Sequence, residues 1–343
     1  MSQKLVCLAL QGGGSHGAYT WGVLDRLLEE NDLAIEALSG ASAGAVNATL
    51  VAHGFLAGGR DGAREALDTF WRTVSDRTRV SATGAAFPEP ATKAYLSLTR
   101  YFSPYQLNPL NLNPLRDILA EQVDFERLRA ESRIGLIISA TRVRDGALKI
   151  FTERDLTLDA LLASTCVPSV HHSVEIDGEA YWDGGLAANP PVSPLVYGCK
   201  AQDVLVVVLT PPGPQEPPTS AEGISARFTQ VAFSSTLGAE LYGIALAKSA
   251  GGRGVFSLGR LDRRLRTLTV HVVDSAAYMA TLDPVSRFKT DEAFMANLRE
   301  EGRKRAGEWL QGDGGFSPAP TPAPALGLAA NAALAPQSTS LMR

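Results

Sequence analysis

Apolar residues along the chain fall into short continuous runs, each closed by glycine or a polar turn and followed by apolar positions at helical spacing. The run at 5–10 ends in glycines, and Val23, Leu24, Leu27 and Leu28 then recur three and four residues apart. A strand, a tight turn and a helix account for that pattern. The run at 34–38 repeats it, meeting Ser39 and Gly40 before an Ala-rich helical stretch at 43–56. Further strands are predicted at 134–140, 147–151, 204–209 and 268–273. The stretch VLVVVL is apolar throughout, as a parallel strand covered on both faces must be. Helices are predicted at 62–74, 115–129, 156–164, 225–250 and 291–310. Strands alternating with helices predict an α/β fold, a mostly parallel sheet with helices on both faces.

Composition narrows this picture. Of 343 residues, 45% are apolar and 20% charged, enough apolar surface to bury a large core and exclude bulk disorder. The net charge of −4 supplies no general field for nucleic acid, and no nucleic-acid partner is expected. No run approaches the ~18 apolar residues that span a bilayer, and the apolar stretch at the N-terminus is too short for a signal peptide. A cytoplasmic protein is expected, any membrane contact being peripheral. Residues 211–218 (PPGPQEPP) read as an exposed connection, and the Pro- and Ala-rich stretch 312–343 as a disordered tail behind a single catalytic domain at 1–311. Cys7, Cys166 and Cys199 are far apart, with no C-x-x-C pair and no matching histidine spacing, so neither zinc site nor disulfide framework is expected.

Two glycine-rich turns carry candidate chemistry. The first, Gly12-Gly13-Gly14-Ser15-His16-Gly17, lies between the first strand and its helix. It contains the Gly-x-Gly-x-x-Gly spacing of dinucleotide enzymes, which makes an NAD(P)-binding oxidoreductase one reading. That reading requires an acidic residue about 20 positions on, at the end of the second strand. Asp32 comes too early and Glu36 sits inside the strand. In either reading the loop frees amide N–H groups at a helix N-terminus, where they hold a pyrophosphate or an acyl-transfer oxyanion. The second turn, Gly40-Ala41-Ser42-Ala43-Gly44, has the Gly-x-Ser-x-Gly pattern of a nucleophile elbow on a strand-to-helix turn.

Such a serine needs a base. Of the five histidines only His271 comes late enough for a Ser, Asp, His order, and LTVHVVD places it in the middle of a strand, away from the loops that usually carry catalysis. His53 reads as structural, and His171 and His172 as loop residues. The stronger candidate is Asp183, held in a loop between Tyr181-Trp182 and Gly184-Gly185. An Asp-Gly-Gly is by itself also an ordinary turn.

GGGSHG after the first strand, GASAG after the second and DGG beyond the middle of the chain, in that order, resemble the patatin-like phospholipase family. The resemblance covers residues 5–210 and implies a three-layer α/β/α fold and a Ser-Asp dyad acyl hydrolase that needs no metal or other cofactor. Carried onto this sequence it makes Ser42 the nucleophile, Asp183 its base, and the amides of Gly12, Gly13, Gly14 and Ser15 the oxyanion hole. His16, Gly17, Gly40, Gly44, Gly184 and Gly185 support these motifs. The chain departs from the family at His16, where the family usually has Arg or Lys, which leaves the loop without that fixed positive charge. The expected substrates are glycerolipids or similar carboxylic esters, and a catalytically silent lipid-binding protein is the other alternative. Residues 95–115, rich in Tyr, Phe, Leu and Pro, read equally as a cleft cap, a lipid-facing surface or a loop covering the core, and 260–266 (RLDRRLR) as a short basic cluster.

Overall fold

A computed structural model describes residues 3–80, 97–99, 101–210, 216–251, 259–312 and 316. In chain order the elements are β1 Lys4–Leu10, α1 Gly17–Leu27, β2 Leu33–Gly40, α2 Ala43–Val80, α3 Pro104–Leu107, α4 Pro114–Gln122, α5 Phe125–Glu131, β3 Gly135–Arg142 and β4 Leu148–Thr152. Then follow α6 Leu158–Ser164, β5 Val174–Ile176, β6 Glu179–Asp183, α7 Ser193–Gly198, β7 Asp203–Val208, α8 Ala221–Gly251, α9 Arg260–Thr267, β8 Thr269–Asp274, α10 Ala276–Met279 and α11 Glu292–Gln311.

The sheet runs β5-β6-β3-β2-β1-β7-β8, with β4 also paired to β3. The central pairs β3-β2, β2-β1, β1-β7 and β7-β8 are parallel, while at one side β4 and β6 each pair antiparallel with β3, and β5 antiparallel with β6. Helices cover both faces. Val6, Leu8 and Leu10 of β1 point into the larger core with α1, α2 and α11, and the alternate residues Cys7 and Ala9 into a second core with α7 and α8. Burial on both faces is why the central strands are continuously apolar. The expected mostly parallel α/β/α architecture is the one observed.

Several boundaries differ from expectation for identifiable reasons. The helices expected at 43–56 and 62–74 belong to one bent element, α2, whose break falls at Gly58 and Gly59. The single helix expected at 115–129 is two, because Val123 is extended and the Asp124 side chain accepts the Arg127 N–H to start a new helix. The basic cluster at 260–266 forms α9. Helix α11 returns to lie on α1, where Gly22 meets the Arg299 carbonyl and Gly302 the Tyr19 carbonyl, leaving no room for a Cβ. Much of the Pro-rich connection and, apart from Gly312 and Phe316, the whole expected tail lie outside the described residues. Phe316 packs edge-on against Trp309, its ring centroid 4.9 Å away. Among the described residues no helix is long and apolar enough to cross a membrane.

Candidate active site

Both glycine turns open at the carboxyl edge of adjacent parallel strands, β1 and β2, the edge at which α/β sheets build their sites. Ser42 caps the start of α2 with φ of +52°, a left-handed backbone that costs a non-glycine residue about 1–2 kcal/mol. Its amide donates to Ser164 Oγ at 3.1 Å and its carbonyl accepts the Val46 N–H at 3.1 Å, so the turn is braced on both sides. Gly40 and Gly44 face each other across the turn, and Gly44 backs onto the Leu10 carbonyl.

Sheet register explains how Asp183 reaches Ser42 from far along the chain. Ile137 and Ile138 of β3 pair with β2 on one edge and with β4 on the other, so β2 and β4 occupy opposite edges. Ala140 and Thr141 pair with β4 and with β6, which puts β6 on the edge that β2 has just vacated. Gly40, the last residue of β2, lies opposite Ile138, and Asp183 lies opposite Ala140. Strand β6 therefore continues the line of β2 from the other direction, and its last residue arrives beside the Ser42 turn. Asp183 thus closes a strand, where the sequence pattern suggested a loop. Two glycines and the short antiparallel pairing with β3 conceal so short a strand from periodicity.

The Asp183 carboxyl is completely buried. Oδ1 accepts the Gly185 N–H at 2.8 Å, while the main chain is pinned by its N–H to the Cys166 carbonyl at 2.8 Å and by Thr141 Oγ1 donating to its carbonyl at 2.7 Å. Gly184 backs onto the Ser139 carbonyl, and Phe233 of α8 packs on Gly185. Burial pushes the carboxyl up to about 7; the Gly185 N–H and the Ser42 hydroxyl pull it down without overcoming burial. The Ser42 hydroxyl is close enough to exert that pull, but the contact falls outside formed hydrogen-bond geometry and Oδ2 has no bonded partner.

The first glycine turn lies directly on the second. A Cβ on Gly12 would sit 2.7 Å from Ser42 Cβ, so only glycine permits this approach. The Gly12 N–H is already taken by Asn189 Oδ1 at 2.7 Å, and Asn189 Nδ2 donates to the Phe233 carbonyl at 2.8 Å. Buried Asn189 therefore ties the first turn to the segment after Asp183 and occupies the Gly12 N–H. No hydrogen bond within the described residues takes up the N–H groups of Gly13, Gly14 or Ser15. Gly14 has φ of +60° and faces the Arg287 carbonyl at a distance that excludes a side chain. Gly17 starts α1 against Ala43 and Trp71.

His16 Nε2 is 2.8 Å from Ser286 Oγ. Burial first, and the charge of Arg287 second, depress its pKa to about 4, so it is neutral at neutral pH and supplies no positive charge. The cation near the loop belongs to Arg287, in the short 3-10 turn Pro284–Phe288 after β8. Ser164 and Arg287 carry no signal that the sequence patterns pick out, and neither does the bond from Asn189 to the first glycine turn. Asn189 stands in a visible Asn-Pro-Pro, whereas Arg287 carries no local signal.

The remaining candidates are elsewhere. His271 is buried in β8 with Nε2 2.6 Å from Asp203 Oδ1. His53 accepts the Asp124 N–H, and His172 stacks on Tyr105 at 4.0 Å. Glu36, the nearest acid for a ribose, has its carboxylate bonded to the amides of Lys200 and Ala201.

The sequence pattern of the patatin-like phospholipase family matches residues 8–196, more than half of the chain. The chain belongs to that family. The matched span contains Ser42, Asp183 and the first glycine turn, and leaves Arg287 and α11 outside it. No curated protein matches the chain. Among solved structures, VipD from Legionella pneumophila aligns with 13% identity and a TM-score of 0.40, over 90% of this chain and 67% of that one. A chain of the ExoU–SpcU complex from the type III secretion system of Pseudomonas aeruginosa aligns with 16% identity and a TM-score of 0.39, over 90% of this chain and 52% of that one.

Proposed function

We propose that this patatin-like protein is a serine acyl hydrolase in which Ser42 attacks a carboxylic ester of a glycerolipid or similar lipid and Asp183 is its base. The observation that carries the reading is the buried Asp183 carboxyl with Oδ2 unpartnered beside a serine held at positive φ. A base works best when its pKa lies near the operating pH, and a value of about 7 meets that condition. As Ser42 Oγ bonds to the acyl carbon, its proton passes to Asp183. The unpaired amides of Gly13, Gly14 and Ser15 take up the developing oxyanion, and the N-terminus of α2 adds a favourable dipole. Asp183 returns the proton to the departing alcohol, and then accepts one from the water that cleaves the acyl-enzyme. In the reacting complex the serine hydroxyl and the Asp183 carboxylate draw into hydrogen-bond contact.

Lipid contact is supported by where the exposed apolar side chains concentrate. Tyr101, Phe102, Tyr105, Leu110 and Leu112 lie in one segment, and Ile224, Phe228 and Val231 recur at helical spacing on α8. The first segment leans on His172, whose carbonyl accepts the thiol of Cys166, next to Asp183; α8 leans on Gly185 through Phe233. Peripheral contact with a lipid surface at these two segments fits the site between them.

Fluorophosphonate labelling of the whole protein, with hydrolysis of a phospholipid and short-chain ester panel, tests the reading. Wild type is expected to label and to hydrolyse, and Ser42→Ala to do neither while keeping its fold. Labelling that persists in Ser42→Ala would place the nucleophile elsewhere.

A further inference from the structure

The second core, on the face of the sheet away from α1 and α11, holds a group of side chains with no part in ester hydrolysis. Cys7 in the middle of β1, Cys199 just after α7 and Glu36 of β2 bring their two sulfurs and a carboxylate oxygen within 4.8 Å of one another. The β1-β2 register slips here: Val6 pairs with Ile35 and Cys7 with Ala37, leaving Glu36 as the extra residue of a bulge. Bulges re-aim side chains and recur beside functional sites. The re-aimed Glu36 carboxylate accepts the amides of Lys200 at 2.9 Å and Ala201 at 2.6 Å, which fixes the turn that presents Cys199.

Arg264 of α9 completes the group. Its Nε donates to the Val196 carbonyl at 2.9 Å and its Nη1 to the Lys200 carbonyl at 3.2 Å, on either side of Cys199. Its Nη2 is buried with no partner. An unsatisfied guanidinium nitrogen beside two thiols suits a thiolate and disfavours a metal cation. Cys7 is completely buried, while Cys199 is half-buried between exposed Gly198 and Lys200, with open space at Gly198.

We propose that Cys7 and Cys199 form an oxidisable dithiol, a modification site in which Cys199 is the attacking sulfur and Cys7 the resolving one, with a peroxide as oxidant. The Cys199 thiolate attacks hydrogen peroxide; an S–O bond forms, the O–O bond breaks, and the departing hydroxide takes up a proton as water. Cys7 then attacks the resulting sulfenic acid. An S–S bond forms, the S–O bond breaks, and a second water carries away the Cys7 proton. Two thiols lose two hydrogens and one peroxide becomes two waters. The thiol of Cys7 donates toward Cys199 and, aided by Arg264 and opposed by burial and by the Glu36 and Glu153 carboxylates, holds the Cys199 pKa below the ordinary thiol value. The product would clip β1, which carries the first glycine turn, to the turn before β7. The assignment stands apart from the hydrolase reading.

The test is intact-mass analysis of the reduced full chain after a few equivalents of hydrogen peroxide. Expected are a mass lower by two hydrogens, a Cys7–Cys199 cross-linked peptide, a higher Tm that dithiothreitol reverses, and none of these in Cys199→Ser or Cys7→Ala. Cys166, buried with its pKa pushed up to about 12, is the internal control and should stay reduced. Addition of oxygen at Cys199 with Cys7 untouched, oxidation of Cys166 at the same rate, or no change in wild type would overturn the proposal. So would zinc that co-purifies and shields both thiols, which would make the group a cation site.

Discussion

Asp25 and Asp183 are both carboxylates out of reach of water, 2% and 0% exposed, and the protein treats them in opposite ways. Asp25, on α1, meets three guanidinium groups: Arg64 Nε at 2.6 Å, Arg299 Nη2 at 2.8 Å and Arg303 beside them. Burial alone would raise its pKa, but the hydrogen bonds and charges of the arginines outweigh that and hold it below the ordinary value. Among the described residues Asp183 meets no cation, only one backbone N–H bonded to it and a serine hydroxyl close by, and its pKa rises to about 7. The first is a permanently charged tie between α1, α2 and α11. The second is a carboxyl that can take and release a proton at neutral pH. Burial is common to both, so compensation by neighbouring charges decides which carboxyl stays ionised and which has its pKa raised.

The sharpest way to break this contrast is to remove each charge in turn. Asp183→Asn should lower ester turnover at least about 10³-fold, because members of a catalytic unit fail together. Its stability should move the other way. A folded pKa of about 7 against 3.8 means that the buried charge destabilises the fold fully above pH 7, less as pH falls through 7, and not at all below the unfolded pKa. Thermal denaturation at pH 8 should therefore find Asp183→Asn more stable, by up to about 4 kcal/mol, with the gain gone at pH 4. A less stable variant at pH 8 would mean that the charge is compensated after all.

Asp25→Asn should do the reverse, costing about 3 kcal/mol in denaturant unfolding by removing the one buried charge that Arg64, Arg299 and Arg303 share, although Glu29 still pairs with Arg64 and Arg303, while kcat of the folded protein changes little. A smaller rate effect still is expected from His271→Ala. The His271–Asp203 pair imitates part of a triad, but it lies in the β7-β8 ladder with Lys4 Nζ 3.3 Å from the same aspartate. Turnover should stay near wild type, and loss of several decades in a folded protein would restore the triad.

The same contrast shows what could be read from sequence. The buried strands, GGGSHG, GASAG and DGG are local patterns, and the strand-turn-helix context of the first two follows from apolar runs ending in glycine. The pairing of Asp25 with Arg299 and Arg303 had no local trace, because it depends on α11 returning to α1 through Gly22 and Gly302. The placement of Asp183 opposite Ala140 and the capture of the Gly12 N–H by Asn189 depend on register, which spacing does not encode. Arg287 and the meeting of Cys7 with Cys199 were hidden for the same reason.

The central claim is that an uncompensated buried carboxyl makes Asp183 the base for Ser42. It is tested most directly by the single-turnover rate at which wild-type protein is acylated by a short-chain ester, measured across pH 4 to 10. The account predicts a rate that rises with pH through an inflection near 7, as Asp183 loses its proton, and that falls to a residual level in Asp183→Asn. An inflection near the ordinary aspartate value, or an unchanged profile in Asp183→Asn, would contradict it.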